Sequence, residues 1–134
     1  MTITRAPKWP TLLAFVAIGS TFPAISFPAV LQVGPHSEYT KPSDVAKVAK
    51  DGDIIEIAEG TWRNGNTVWR QDNLTIRGFG GRAHLKADGT LAEGKAIWVV
   101  KGKNTTIENI EFSGARVKDQ NGAGIRQEGT NLIY

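Results

Sequence analysis

Cysteine is absent from the 134 residues. That excludes a disulfide framework, a zinc knuckle and a thiol nucleophile. Charge of one sign is also missing: 16 basic against 13 acidic residues leave a formal net charge of only +3. No run of Lys or Arg is long enough to form a nucleic-acid-binding tail, so nucleic acid is not an expected partner. The chain has no nucleophile elbow and no serine–histidine–acid set at a familiar spacing. His36 and His84 stand alone, without a second ligand at metal-binding spacing. Gly78-Phe79-Gly80-Gly81 lacks the lysine and the following helix of a phosphate loop and reads as a chain corner. A membrane-length apolar run is absent as well. The stretch from Leu12 to Ile18 is too short for a span and is bracketed by Pro10, Gly19 and Pro23. The length suits one domain and not two.

The first residues have the pattern of an export signal. Arg5 and Lys8 make a positive start, the apolar stretch follows, and Ala24-Ile25-Ser26 offers small residues at a cleavage site. Residues 1–26 are therefore expected to be a signal peptide. The mature chain begins near Phe27, is secreted or periplasmic, and makes no stable membrane insertion after cleavage.

In the remaining chain the hydrophobic period changes from place to place. Val30-Leu31-Gln32-Val33 reads as a short strand closed by Gly34-Pro35. Pro42-Ser43-Asp44 opens a helix over residues 43–50, with Ser43 as its cap, Asp44 in its positive first turn, and Gly52 as its stop. Val45, Val48 and Ala49 share one helical face, so this short helix needs a surface to pack on. From Ile54 the period becomes two, with Ile55 and Ile57 on one side and Glu56 and Ala58 on the other.

Further on, one pattern recurs at solenoid spacing. Val68-Trp69-Arg70-Gln71-Asp72-Asn73-Leu74-Thr75-Ile76 is followed by Val99-Val100-Lys101-Gly102-Lys103-Asn104-Thr105-Thr106-Ile107. Arg126-Gln127-Glu128-Gly129-Thr130-Asn131-Leu132-Ile133-Tyr134 is a third copy. Asn73, Asn104 and Asn131 align, as do Leu74, Thr105 and Leu132, and Ile76, Ile107 and Tyr134. A unit this small cannot bury its own apolar face, but stacked units line equivalent residues into one interior. Asparagine before each strand suits a tight bend, because it tolerates left-handed dihedrals, and aligned asparagines can bond from turn to turn. Asn73-Leu74-Thr75 and Asn104-Thr105-Thr106 also match the glycosylation pattern, but the bend is the stronger reading.

The segment Gly52-Asp53-Ile54-Ile55-Glu56-Ile57-Ala58-Glu59-Gly60-Thr61-Trp62 resembles the opening coil of the right-handed parallel β-helix of the pectin-lyase-like superfamily. Asn104 to Phe112 resembles its strand–bend–strand unit. The resemblance implies an all-β right-handed parallel β-helix over residues 27–134, with the 43–50 helix covering its first coil. Chains of that kind usually continue for several more coils, whereas Leu132-Ile133-Tyr134 breaks off inside an expected strand. The expectation is therefore the N-terminal portion of such a domain, truncated after its first few coils and prone to self-association through an uncapped last coil. The superfamily includes polysaccharide lyases and epimerases, some using calcium, and an acidic polysaccharide is the partner this implies. Glu56, Glu108, Glu111 and Glu128 fall on different strands and match no calcium site, so no metal or other cofactor is evident and no catalytic residue is carried over.

Arg116, Lys118, Asp119, Arg126 and Glu128 form the best local polar constellation for binding substrate. A basic residue among them could take the proton α to a uronate carboxylate; as ordinary loop charges they would form weak surface pairs. Trp62, Trp69 and Trp98 could stack on sugar rings but more naturally fill the core. Three functions remain open on the residues: a polysaccharide-active β-helix, a non-catalytic carbohydrate-binding or adhesive module, and an inactive truncated product.

Overall fold

The computed structural model describes residues 27–118, 120 and 122–134. The expected export segment, residues 1–26, lies outside the described residues. The rest of the chain winds into a parallel β-solenoid of about four turns with one short helix. Along the first wall run β1 (Val30–Val33), the first part of β2 (Ile54–Arg63), the first part of β4 (Thr75–Lys86), β6 (Thr105–Glu108) and β9 (Leu132–Ile133), paired in the order β1-β2-β4-β6-β9. The later halves of β2 and β4, with β7 (Ile110–Ser113), make a second wall. β3 (Thr67–Trp69), β5 (Ala96–Val100) and β8 (Ala123–Gln127) make the third. Every pairing between these strands is parallel.

The register shows the predicted stacking. Ile55 pairs with Ile76 and Ile76 with Ile107. Thr75 pairs with Thr106, which puts the preceding Leu74 on Thr105, and Thr105 pairs with Leu132. Ile55, Leu74, Ile76 and Thr105 have no exposed surface. Burying each of these aliphatic side chains contributes about 1.5–3 kcal/mol, and only stacked neighbours can exclude the water. Tyr134 continues the register one residue past Ile133 but is 68 % exposed; its hydroxyl reaches back to donate to the Ile110 carbonyl at 2.6 Å.

The asparagine columns behave as their chemistry requires. Asn73, Asn104 and Asn131 have φ of 59°, 59° and 58°, and the Nδ2 of each later residue donates to the Oδ1 of the one before, at 3.1 and 2.7 Å. Both glycosylation-pattern asparagines are thus rungs of this ladder. One coil earlier the same bend is made by Gly52, whose φ of 89° and bond to the Asp72 carbonyl match the bond from Asn73 to Lys103. Asp53 next to it is buried, and its carboxylate accepts from the amides of Ala29 and Lys50.

The corner expected at Gly78–Gly81 lies inside β4. Ala58 pairs with Phe79 and Gly60 with Ala83, so one residue of β2 is matched by three of β4 where the chain turns from the first wall to the second. Asn109 makes the next corner, with φ of 56° and a side-chain bond to the Gly81 carbonyl.

The helix, α1 (Pro42–Val48), differs in detail from the reading of residues 43–50. Lys41 is its extended N-cap, Ser43 lies inside the first turn, and no side chain caps the end. Pro42 lacks an amide hydrogen, so the first turn has one donor fewer to satisfy. The stop comes at Ala49, which turns extended while its amide still bonds Val45; Gly52 serves the next bend instead. Val45 and Ala49 enter the core cluster, but Val48 is 46 % exposed, because the face meeting β1 and β3 is narrower than the helical period allows. Trp69 and Trp98 are fully buried and meet edge to face at 5.3 Å, and Trp98 meets Phe112 at 5.0 Å. Burial removes both tryptophans from any sugar-stacking role. Trp62 is half-buried and donates to the Ala58 carbonyl.

Candidate functional site

The outward side of the third wall carries a network of charged side chains. Trp69 pairs with Val100 and Val100 with Gln127, so the residues that follow them, Arg70, Lys101 and Glu128, rise one above another at successive coils. The loop before β5 adds Glu93 and Lys95, and β8 adds Arg126. Glu128 accepts from Lys95 Nζ at 3.0 Å and from Arg126 Nε at 3.0 Å, with Lys101 Nζ at 3.9 Å. Glu93 takes Lys101 Nζ at 2.8 Å and Lys95 at 3.8 Å. Each lysine therefore bridges both carboxylates. The local sequence builds this geometry: Glu93 has φ of 50° in the turn that brings the loop back, and Ala92, Ala96 and Val99 form a small apolar cluster beneath it.

These contacts hold both carboxyls below the usual carboxylate range. For Glu128 the Lys95 hydrogen bond is the largest cause, followed by that of Arg126. For Glu93 it is the hydrogen bond from Lys101. Held below the usual range, the two carboxylates stay ionised near neutral pH and are correspondingly weak bases. Arg70 is exposed and belongs to no ion pair among the described residues. Four cations thus face outward over two carboxylates, leaving an excess of positive charge. Beside them a cleft of about 630 Å³ opens between α1 and β3, lined by Lys47, Asn66, Arg70 and Gln71 among others.

Of the five residues predicted to bind substrate, the structure brings Arg126 and Glu128 together. Arg116 and Lys118 are exposed on the segment between β7 and β8 and make no ion pair with another described residue. Asp119 lies outside the described residues. Glu93, Lys95 and Lys101 were missed. For Lys101 the signal was present, since it occupies the repeat position of Arg70 and Glu128; Glu93 and Lys95 sit in a loop with no repeat equivalent. His84, isolated in sequence, contacts Ser113 across a coil, with Nε2 2.6 Å from Oγ.

Among the described residues no group of three or more His, Asp or Glu is arranged to hold a metal ion, and no helix is long and apolar enough to cross a membrane. Comparison with protein-family models, with curated proteins and with solved structures finds no match. The class that the structure defines is the parallel β-solenoid.

Proposed function

We propose that this β-solenoid contacts acidic polysaccharide through the outward face of the β3-β5-β8 wall, as an exported β-helix protein of the pectin-lyase-like kind. One observation supports this most directly. Arg70, Lys95, Lys101 and Arg126 share that face, and the two carboxylates among them are already neutralised by paired lysines. Arg70 and Lys101 stand one coil apart in one column, about 4.8 Å, with Lys95 and Arg126 beside them, and together they offer a polyanion several contacts. The positive amino-terminal segment and its apolar run support export. Engaged carboxylates favour binding over proton abstraction, so the reading is of a contact surface and not of a lyase centre.

Electrophoresis of the purified chain through gels containing polygalacturonate, alginate or neutral dextran tests this. Retardation in the two uronate gels only, relieved by salt and by the double change Lys101→Glu and Arg126→Glu, is the expected result. Equal mobility in all three gels overturns the reading. Incubation with either uronate is expected to release no unsaturated ends, measured by ultraviolet absorbance.

A further inference from the structure

A different wall carries chemistry that the charge cluster does not use. Where the second half of β4 pairs with β7, His84 is in register with Glu111 and Lys86 with Ser113. One coil earlier Arg63 occupies the column of Lys86. Leu85 between them is fully buried, so by strand alternation His84 and Lys86 face outward. Across the diagonal of this array His84 Nε2 and Ser113 Oγ are 2.6 Å apart. That is a short contact for a nitrogen–hydroxyl pair. Both residues are half-buried, which limits their competition with water while leaving them reachable.

We propose that Ser113 and His84 are a nucleophile and general base that hydrolyse carboxylic esters carried on an anionic polymer. In the working tautomer the Ser113 hydroxyl donates to Nε2 and the ring proton sits on Nδ1; Glu111 is the cross-strand neighbour of His84 by register, without a hydrogen bond to the ring. Ser113 Oγ bonds to the acyl carbon as its proton passes to Nε2. The bond from that carbon to the alcohol oxygen breaks, and the departing oxygen takes the proton from Nε2. Water then attacks the acyl carbon and gives a proton to Nε2. Ser113 Oγ leaves with that proton, releasing the carboxylic acid. Lys86, directly in register with Ser113, supplies positive charge for the developing oxyanion and for the polymer's own anionic groups. Arg63 extends that charge by one coil; its only described ion pair is a loose, exposed contact of 3.8 Å with Asp88. This site does not depend on the polysaccharide reading of the third wall.

The test uses a fluorophosphonate probe with peptide mapping, together with release of nitrophenolate from nitrophenyl acetate and from the anionic nitrophenyl hemisuccinate. The wild-type chain is expected to label at Ser113 and to turn over both esters. Ser113→Ala should abolish both signals, and His84→Ala should slow labelling at Ser113 about hundredfold, a loss typical of removing a general base. Lys86→Ala should raise KM for the hemisuccinate more than for the acetate. Unchanged melting temperatures in the variants separate these effects from misfolding, and His84→Gln serves if His84→Ala melts early. Absence of labelling in the wild type, labelling at another residue, or an unchanged rate in both His84 variants overturns the proposal.

Discussion

Single atoms decide how well the coils stack. Thr105 is fully enclosed between Leu74 and Leu132, and its Oγ1 has no hydrogen-bond partner. A buried hydroxyl without a partner costs about 1–3 kcal/mol. Thr105→Val keeps the branched shape and removes the orphan, so it is expected to stabilise the chain by about 1 kcal/mol in urea unfolding. Glycine at 102 and 129 has a different cause. A Cβ at Gly102 would fall on the backbone carbonyl of Gln71, and one at Gly129 on that of Gly102. At both glycines successive coils approach too closely for any side chain. Gly102→Ala must push the coils apart and is expected to cost about 3 kcal/mol or more, seen as a fall in the melting midpoint. Gly102 and Gly129 fall in one column of the repeat, and the reason is distance and not dihedral freedom.

At the level of elements, outward columns are tied as firmly as inward ones. Glu56 pairs with Gln32 on β1 and with Arg77 on β4 in register. Its carboxylate accepts from Gln32 Nε2 at 3.1 Å and from Arg77 Nη2 at 2.8 Å. The Arg77 hydrogen bond, then that of Gln32, holds its carboxyl below the ordinary value of 4.5. A carboxylate whose value is depressed on folding adds stability that is present above the unfolded value and is lost as pH falls through the folded one. Glu56→Gln should therefore cost about 1 kcal/mol at pH 7, a figure kept small because the Arg77 side chain is 40 % exposed, and the gap to the wild type should close as pH drops below about 4.5. Denaturation at a series of pH values checks both the size and the direction. Alternation alone assigns Glu56 to the outside, and it is outside the core, yet it is 8 % exposed because its neighbours cover it. Such covering was not legible, since it depends on which residues become neighbours across coils. The same holds for His84 and Ser113, 29 positions apart. The helix shows the opposite limit: its existence was clear from period and proline, while its ends shifted because Lys41, not Ser43, occupies the N-cap and Ala49 takes an extended conformation.

For the whole molecule the two ends of the solenoid differ. α1 packs Val45 and Ala49 into the core beside the first strands. At the other end, among the described residues, no comparable element lies over Leu132, Ile125 and Phe112, and Ile133 and Tyr134 are 57 % and 68 % exposed. Strand edges with neighbouring apolar side chains favour association. Sedimentation of the purified chain is expected to show assembly that grows with concentration and weakens with Ile133→Lys; a single monomeric species at all concentrations would remove this view. The parallel walls, asparagine columns and aliphatic stacking were legible in the sequence because a repeat writes each contact several times. The Glu93–Lys95–Lys101 network was only partly so, because two of its members belong to a loop that occurs once.

The lengthwise direction of the bonds between windings has a mechanical consequence. Each winding grips only the one before and the one after, and the last is held on the first wall by a strand of two residues. Tension applied at the carboxyl end would act on a few bonds at a time. The chain would then unreel one loop after another from that end, with Val33, Ile55 and Ile57 of the first windings among the last to let go.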